Sequence, residues 1–375
     1  MGVHEWKTRP LGEVVALQRG FELSKEQRIT GDVPVVGASG IVGWHNKAMT
    51  PGPGVTLGRA GAMGHATYVP QDYWPLNTAL FVTNFFGNDS LYIYYLLHSI
   101  DFTAYNSGGV QPMLNRNYIK DVRVVIPEPP EQQAIAEVLG ALDDKIALNE
   151  QMRETILSLA DACYQSAQVS DETELIGNLA ELYDGPHATP QKTESGPWFL
   201  SISSLKNGYL DLSESAHLSE EDFPRWTRRV QPQAGDVLFS YETRLGDAAL
   251  MPPGVRGSLG RRMALLRSKS ANVSGALLLH AYLSPPFQEE IKRRTVYGAT
   301  VDRLPLKEMP GWRISLPAAG ERERLSAKLD ALHASVTQTA NENRTLAELR
   351  DTLLPQLLSG KLRVKDAVRT VEEVV

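Results

Sequence analysis

The sequence predicts an α+β protein in which one module, an α+β globule followed by a long helix, is used twice. Three observations carry this. Shifting the chain by 190 residues lays Gly108 on Gly298, Leu114 on Leu304, Arg123 on Arg313, Pro127 on Pro317 and Leu139 on Leu329. Each copy has short β-rich runs in its first half. Each then has a stretch, 131–167 and 321–354, with no proline and almost no glycine, as a long helix requires. At 375 residues the chain also exceeds one ordinary core and suits two domains.

Taken in order, the first copy offers strands at 33–36, 54–57, 79–82 and 122–126, with a helix at 90–98. The second offers strands at 198–202, 236–239, 264–266 and 312–316, with a helix at 274–283. Upstream the repeat needs gaps, yet Leu11-Gly12 answers Ile176-Gly177, Gly20 answers Gly185, and Gly64 with Pro70 answers Gly246 with Pro252. In the first long helix Ile135, Leu139, Leu142, Ile146, Asn149, Arg153, Ile156, Ala160 and Cys163 hold a heptad spacing. Leu325, Leu329, Leu332, Val336, Thr339, Asn343, Leu346, Arg350 and Leu353 do the same in the second. Two such seams predict helices that pack on each other, with Asn149 or Thr339 fixing register; an ordinary pair of core helices is the blander reading. The expected boundaries are 1–130 for the first globule, 131–168 for its helix, 169–317 for the second globule and 318–375 for the last helix and tail.

Net charge is −6, which argues against a nucleic-acid partner until the charge is located. Residues 131–168 carry 2 Lys+Arg against 7 Asp+Glu, whereas 1–130 carry 10 against 10 and 169–320 carry 17 against 18. The acidic excess therefore belongs to one helix, and basic faces remain open to the globules, notably where Arg225, Arg228 and Arg229, then Arg261 and Arg262, then Lys292, Arg293 and Arg294 bunch. The helix carboxylates Glu137, Asp143, Asp144, Glu150 and Glu154 should face protein or solvent, since they would repel phosphate.

The single Cys163 excludes disulfide frameworks and cysteine-rich zinc sites. The eight histidines form no pair at ligand spacing, so no metal site is expected. Gly37-Ala38-Ser39-Gly40 is one residue short of a nucleophile elbow, and Gly58, Gly61 and Gly64 match neither phosphate-binding fingerprint. The tetrapeptide of amino-methyltransferases is missing, so the chain is expected to be no enzyme. No apolar run approaches the roughly 18 residues of a membrane span, and the opening residues have neither the basic nor the apolar region of a leader. A cytoplasmic location with no membrane contact is expected.

The decisive stretch runs from Ile126-Pro127-Glu128-Pro129-Pro130-Glu131-Gln132-Gln133-Ala134-Ile135 through Leu139-Gly140-Ala141-Leu142-Asp143-Asp144-Lys145-Ile146. It is answered by Leu353-Leu354-Pro355-Gln356-Leu357-Leu358-Ser359-Gly360-Lys361-Leu362. These resemble the central and distal regions of Type I restriction-modification specificity subunits, over essentially the whole chain. Asp184-Gly185-Pro186-His187-Ala188-Thr189-Pro190 also resembles the opening of a target-recognition domain of that family. The second copy departs at Ala318-Ala319-Gly320 and His333-Ala334.

The resemblance implies two tandem α+β target-recognition domains, separated and followed by long helices packed as an antiparallel coiled coil. Each domain would read one half of a bipartite site in double-stranded DNA, with the helices as a ruler. This chain would hold no cofactor. Two modification (methyltransferase) subunits would bring S-adenosylmethionine for adenine methylation, and restriction subunits would bring ATP and Mg for translocation and cleavage. A tandem repeat with a rigid spacer is also what bivalent recognition requires.

Base edges and phosphates are met by basic, amide and hydroxyl side chains on loops. The candidates in the first globule are Lys25, Ser39, His45, Asn46, Lys47, Arg59, Asn106, Ser107, Gln111 and Arg116. In the second they are His187, Thr189, Lys192, Tyr241, Thr243, Arg244, Arg261, Arg262, Thr300 and Arg303. Two other readings stand beside this one: a coiled-coil scaffold joining two partners, and a nuclease or methyltransferase whose motifs have drifted.

Overall fold

The computed structural model describes residues 6–106, 112–167, 173–206, 208–298 and 301–374. The first copy holds strands β1 (Lys7–Pro10), β2 (Ala16–Arg19), β3 (Val33–Gly37), β4 (Gly40–His45), β5 (Gly54–Gly58), β6 (Ala66–Val69), β7 (Trp74–Pro75), β8 (Ala79–Asn84) and β9 (Arg123–Ile126). Its helices are α1 (Leu11–Val14), α2 (Ser90–Ser99) and α3 (Arg116–Ile119), and α4 (Pro129–Ala167) follows. A four-stranded antiparallel sheet has the order β2-β8-β5-β6, a second sheet the order β4-β3-β7 with β7 parallel to β3, and β1 pairs with β9.

The second copy repeats this plan. Its strands are β10 (Thr173–Leu175), β11 (Ala180–Asp184), β12 (Thr193–Phe199), a short β13–β14 hairpin (Leu205–Lys206, Tyr209–Leu210), β15 (Ala216–His217), β16 (Val237–Ser240), β17 (Ala248–Leu250), β18 (Gly257–Ser258), β19 (Met263–Ser268) and β20 (Arg313–Ser315). The sheets run β11-β19-β16-β17, β15-β12-β18 with β18 parallel to β12, and β10-β20. Helices α5 (Ile176–Leu179), α6 (Phe223–Trp226), α7 (Gly275–Leu283) and α8 (Pro285–Arg294) precede α9 (Arg322–Leu358) and α10 (Val364–Val374).

Local chemistry explains the correspondence. Strand β5 and its counterpart β16 are buried along their whole length, Thr56 and Ser240 included, so neither shows the polar-out alternation of a half-exposed strand. Helices α2 and α7 start where Asp89 accepts from the Tyr92 amide and Ser274 from that of Leu277, which satisfies an otherwise orphan donor. Gly64 and Gly246 both stand at positive φ, 81° and 93°, in the turns between β5 and β6 and between β16 and β17, a conformation that glycine adopts without steric cost.

The chain divides into two compact units, 1–147 with 343–375, and 148–342. In the first, Ile135, Leu139 and Leu142 of α4 share one core with Leu346, Leu353 and Leu357 of α9 and with the globule residues Leu11, Leu80, Tyr92 and Ile93. Burying each such side chain is worth about 1.5–3 kcal/mol. Within this unit Arg350 Nη1 donates to Asp143 Oδ1 at 2.7 Å and Asn343 Nδ2 to the Ile146 carbonyl at 3.1 Å. One helix ascends as the other descends, so the two segments are antiparallel. In the second unit Ala160, Cys163 and Tyr164 of α4 share a core with Leu325 and Leu329 of α9 and with Leu277 and Leu278 of α7.

Each unit carries a polar knot at the same place in the repeat. In the first, the Tyr95 hydroxyl on α2 donates to Asp143 Oδ2 at 2.6 Å, beside Arg350. In the second, His333, the repeat mate of Asp143, meets His280 of α7 through the two Nε2 atoms at 2.9 Å, and His280 Nδ1 meets Asp161 Oδ1 at 2.7 Å. Burial, followed by the charge of His280, lowers His333 from its usual value to about 4.

The structure corrects four local expectations. The strand expected at 198–202 ends at Phe199, and a 3-10 turn follows at Ile202–Ser204. The second copy has two helices after its sheet, because Pro285-Pro286 forms the first turn of α8, where the missing amides cost nothing. Helix α9 continues through Pro355 to Leu358, since Leu354, Leu357 and Leu358 are buried. Helix α10 was not expected at all.

Candidate nucleic-acid interface

In the first unit the sheet's far loops converge on Arg59. Its carbonyl accepts from the Leu114 amide at 2.8 Å, its own amide donates to the Thr78 carbonyl at 2.9 Å, and its Nη2 reaches Met113 Sδ at 3.3 Å. Asn106 Oδ1 accepts from the Met113 amide at 3.0 Å, tying together the two ends of the segment that carries Ser107 and Gln111; those two residues lie outside the described residues. Gly58 sets the approach. A Cβ there would stand 1.9 Å from the Ala62 carbonyl oxygen and 2.5 Å from that of Ala38, so only glycine lets the Ala38-Ser39 turn come against Arg59. Ser39 is exposed on that turn.

Other first-unit candidates lie elsewhere. Asn46 and Lys47, both exposed, follow the opposite end of β4, six residues from Ser39's turn, or roughly 20 Å at 3.3 Å per residue. Lys25 is exposed in a 3-10 turn. Arg116 is exposed and its Nη1 reaches the Leu17 carbonyl at 3.4 Å. His45 is buried: its Nδ1 accepts from the Ile29 amide at 3.0 Å, and its ring meets Trp74 edge-on. In this conformation it shapes the hairpin and presents nothing outward.

The second unit repeats the convergence. Tyr241 takes the place of Arg59, its carbonyl accepting from Leu304 at 2.9 Å and its amide donating to the Arg262 carbonyl at 3.3 Å. The Tyr241 side chain is buried, and burial, reinforced by the Asp184 charge, pushes its phenol up to about 12. Arg262 Nε lies 3.2 Å from Glu242 Oε2, and the Glu242 backbone bridges to that of Arg303. Arg262 Nη1 is 2.7 Å from His187 Nδ1, and His187 Nε2 is 3.0 Å from Asp184 Oδ2. Thr243 and Arg262 both hold positive φ, 70° and 65°, which costs a non-glycine residue of order 1–3 kcal/mol. Arg244 pairs with Asp247 in the adjoining turn. Arg261, Thr189 and Lys192 are exposed, and Thr300 lies outside the described residues.

Beside this network opens a cleft of about 440 Å³, lined by Asp184, His187, Arg225, Trp226, Arg228 and Arg229 among others. The candidate set omitted those three arginines, although their bunching in the sequence was the signal that could have found them. Among the described residues no group of three His, Cys, Asp or Glu side chains could hold a metal ion, and no helix is long and apolar enough to cross a membrane.

Residues 4–158 match the model of the Type I restriction modification DNA specificity domain. The matched stretch covers the first globule and most of α4. It is 20% identical over 325 residues, 78% of this chain and 74% of the relative, to the Type I restriction enzyme MjaIX specificity subunit of Methanocaldococcus jannaschii. It is 26% identical over 133 residues, 35% of this chain and 29% of the relative, to the putative MjaX specificity subunit of the same organism. Its fold is similar to the crystal structure of the S subunit of a Type I restriction-modification system from M. genitalium, with TM-score 0.63 and 16% identity over 95% of this chain and 97% of that one. The stretch Asp184–Ala188 runs from the end of β11 along the cleft wall.

Proposed function

We propose that this chain is a Type I restriction-modification specificity subunit that reads a bipartite site in double-stranded DNA, one half with each globule, and that the α4 and α9 helices set the gap between the halves. One observation carries the proposal: the repeat brings equivalent loops together in both copies, at Arg59 with Leu114 and at Tyr241 with Leu304. Loops of that kind, rich in basic, amide and hydroxyl groups, suit both phosphate and base edges. Helix α4, at 39 residues, is about 58 Å long at 1.5 Å per residue, more than a single globule's core needs.

On this reading the outward set comprises Lys25, Ser39, Asn46, Lys47, Arg59, Asn106 and Arg116 in the first unit. In the second it comprises His187, Thr189, Lys192, Thr243, Arg244, Arg261, Arg262 and Arg303. Ser107, Gln111 and Thr300 remain proposed from the sequence, and His45 and Tyr241 hold the loops in shape from inside. The chain itself is non-catalytic and cytoplasmic. Two methyltransferase subunits bring S-adenosylmethionine for adenine methylation, and restriction subunits bring ATP and Mg. A scaffold built on helices alone is not favoured, because the family match at 4–158 is mostly globule.

The test is the methylome of a cell expressing this chain with its methyltransferase, against a cell lacking only this chain. A bipartite adenine-methylated motif that vanishes with the chain is the expected result. Identical methylation in both cells, despite a soluble complex, would refute the reading.

A further inference from the structure

The second globule holds a chain of bonded charges at the lip of the arginine-lined cleft. Arg229 Nη1 donates to Asp184 Oδ2 at 3.1 Å and to the Gly185 carbonyl at 2.9 Å. Asp184 Oδ2 also meets His187 Nε2, and His187 Nδ1 meets Arg262 Nη1, which leans on Glu242. The pattern fixes one tautomer: His187 donates through Nε2 to the carboxylate and accepts through Nδ1 from the guanidinium. Asp184, His187 and Arg262 are each held between two partners, whereas Arg229 ends the chain, and Arg229 and His187 stay about half exposed.

Among the described residues Arg229 is bonded through Nη1 alone, which leaves its Nε–H and Nη2–H as a free two-donor edge. Such an edge fits the paired acceptors O6 and N7 of guanine, and it fits a phosphate equally well. The neighbour decides between them. Asp184 places a carboxylate against Arg229 and disfavours a further anion, whereas the neutral edge of guanine carries no such penalty. Clamping also removes the rotamer freedom that a mobile phosphate-seeking arginine would lose on binding. At the position equivalent to Asp184 the first copy has Arg19, which lies 3.8 Å from Glu22, so the device belongs to the second copy alone.

We infer that Arg229, held by Asp184, is a specificity-determining residue that reads a guanine in the half-site of the second globule. The inference rests on the DNA-reading proposal and deepens it. Its test is the methylome motif of the full chain co-expressed with its methyltransferase, as wild type, R229A and D184N. R229A should lose roughly 5- to 150-fold of the discrimination at one G·C pair of one half-site, as expected of a bidentate contact, while the other half-site and the gap stay intact. D184N should relax the same pair less. An unchanged motif in R229A overturns the inference, as does a uniform fall in methylation at every copy of the motif with all base preferences kept, the mark of a phosphate contact. Should R229A methylate nothing, R229K decides: a relaxed guanine position supports the inference, and an intact motif or continued silence overturns it. Wild-type methylation with no chain-dependent motif would refute the DNA-reading proposal itself, a different outcome from any of these.

Discussion

Removing Asp143 should loosen the first unit in a measurable way. Its carboxylate accepts from the Tyr95 hydroxyl at 2.6 Å and from Arg350 at 2.7 Å, joining α2, α4 and α9 in one knot. A hydrogen bond to a charged group is worth about 1.5–3 kcal/mol, so the two bonds give roughly 3–6 kcal/mol at face value. Two features reduce that. Asp143 and Arg350 are each about 30% exposed, and Arg350 keeps Asp351 at 2.8 Å, so its charge is not stranded. A cost of about 2–3 kcal/mol is expected for D143A. In domains of this size that lowers a melting midpoint by about 4–12 °C. Calorimetry of wild type, D143A, R350A and the double variant would give the coupling energy between the partners. A D143A cost below about 0.5 kcal/mol, or single effects that simply add, would refute a role for the knot in holding these elements together.

Other outcomes follow from the same geometry. In the second unit His333 is held neutral, titrating near 4 against 6.5 when unfolded; the unfolded chain binds more protons between those values, so stability is full above pH 6.5 and falls as pH drops to 4, by up to about 3 kcal/mol. H333Q should flatten that slope in pH-dependent denaturation of the intact protein. Inserting four residues after Ile146, about one turn and 6 Å, should lengthen the degenerate gap by about two base pairs with both half-sites unchanged; an altered half-site at constant gap would contradict the ruler. Replacing Arg261 and Arg303 with glutamine should make DNA binding less salt-dependent, by about 0.9 in the log–log slope for each phosphate no longer neutralised, and an unchanged slope would remove them from the interface.

The repeat, the long helices and most strands were legible because each writes itself into local pattern. The heptad positions Leu139, Leu142, Leu329 and Leu353 are all buried as their spacing requires. Proline misled at two places for opposite reasons. At Pro285 it begins a helix rather than ending one, and at Pro355 the burial of Leu357 and Leu358 outweighs the lost hydrogen bond. The interface was less legible, because exposure there depends on contacts distant in sequence. His45 resembles the other loop donors until the Ile29 amide, 16 residues away, is seen to occupy its nitrogen. Tyr241 is likewise buried by its neighbours and not by its own pattern. The clamp on Arg229 joins residues 45 apart, a pairing that no local spacing announces.

The most direct test of bipartite reading is to select bound duplexes from a random pool with this chain in complex with its methyltransferase, and to sequence them. Two constant blocks separated by a degenerate gap of fixed length are expected. A single contiguous block, or no enrichment at all from a folded complex, would contradict the account.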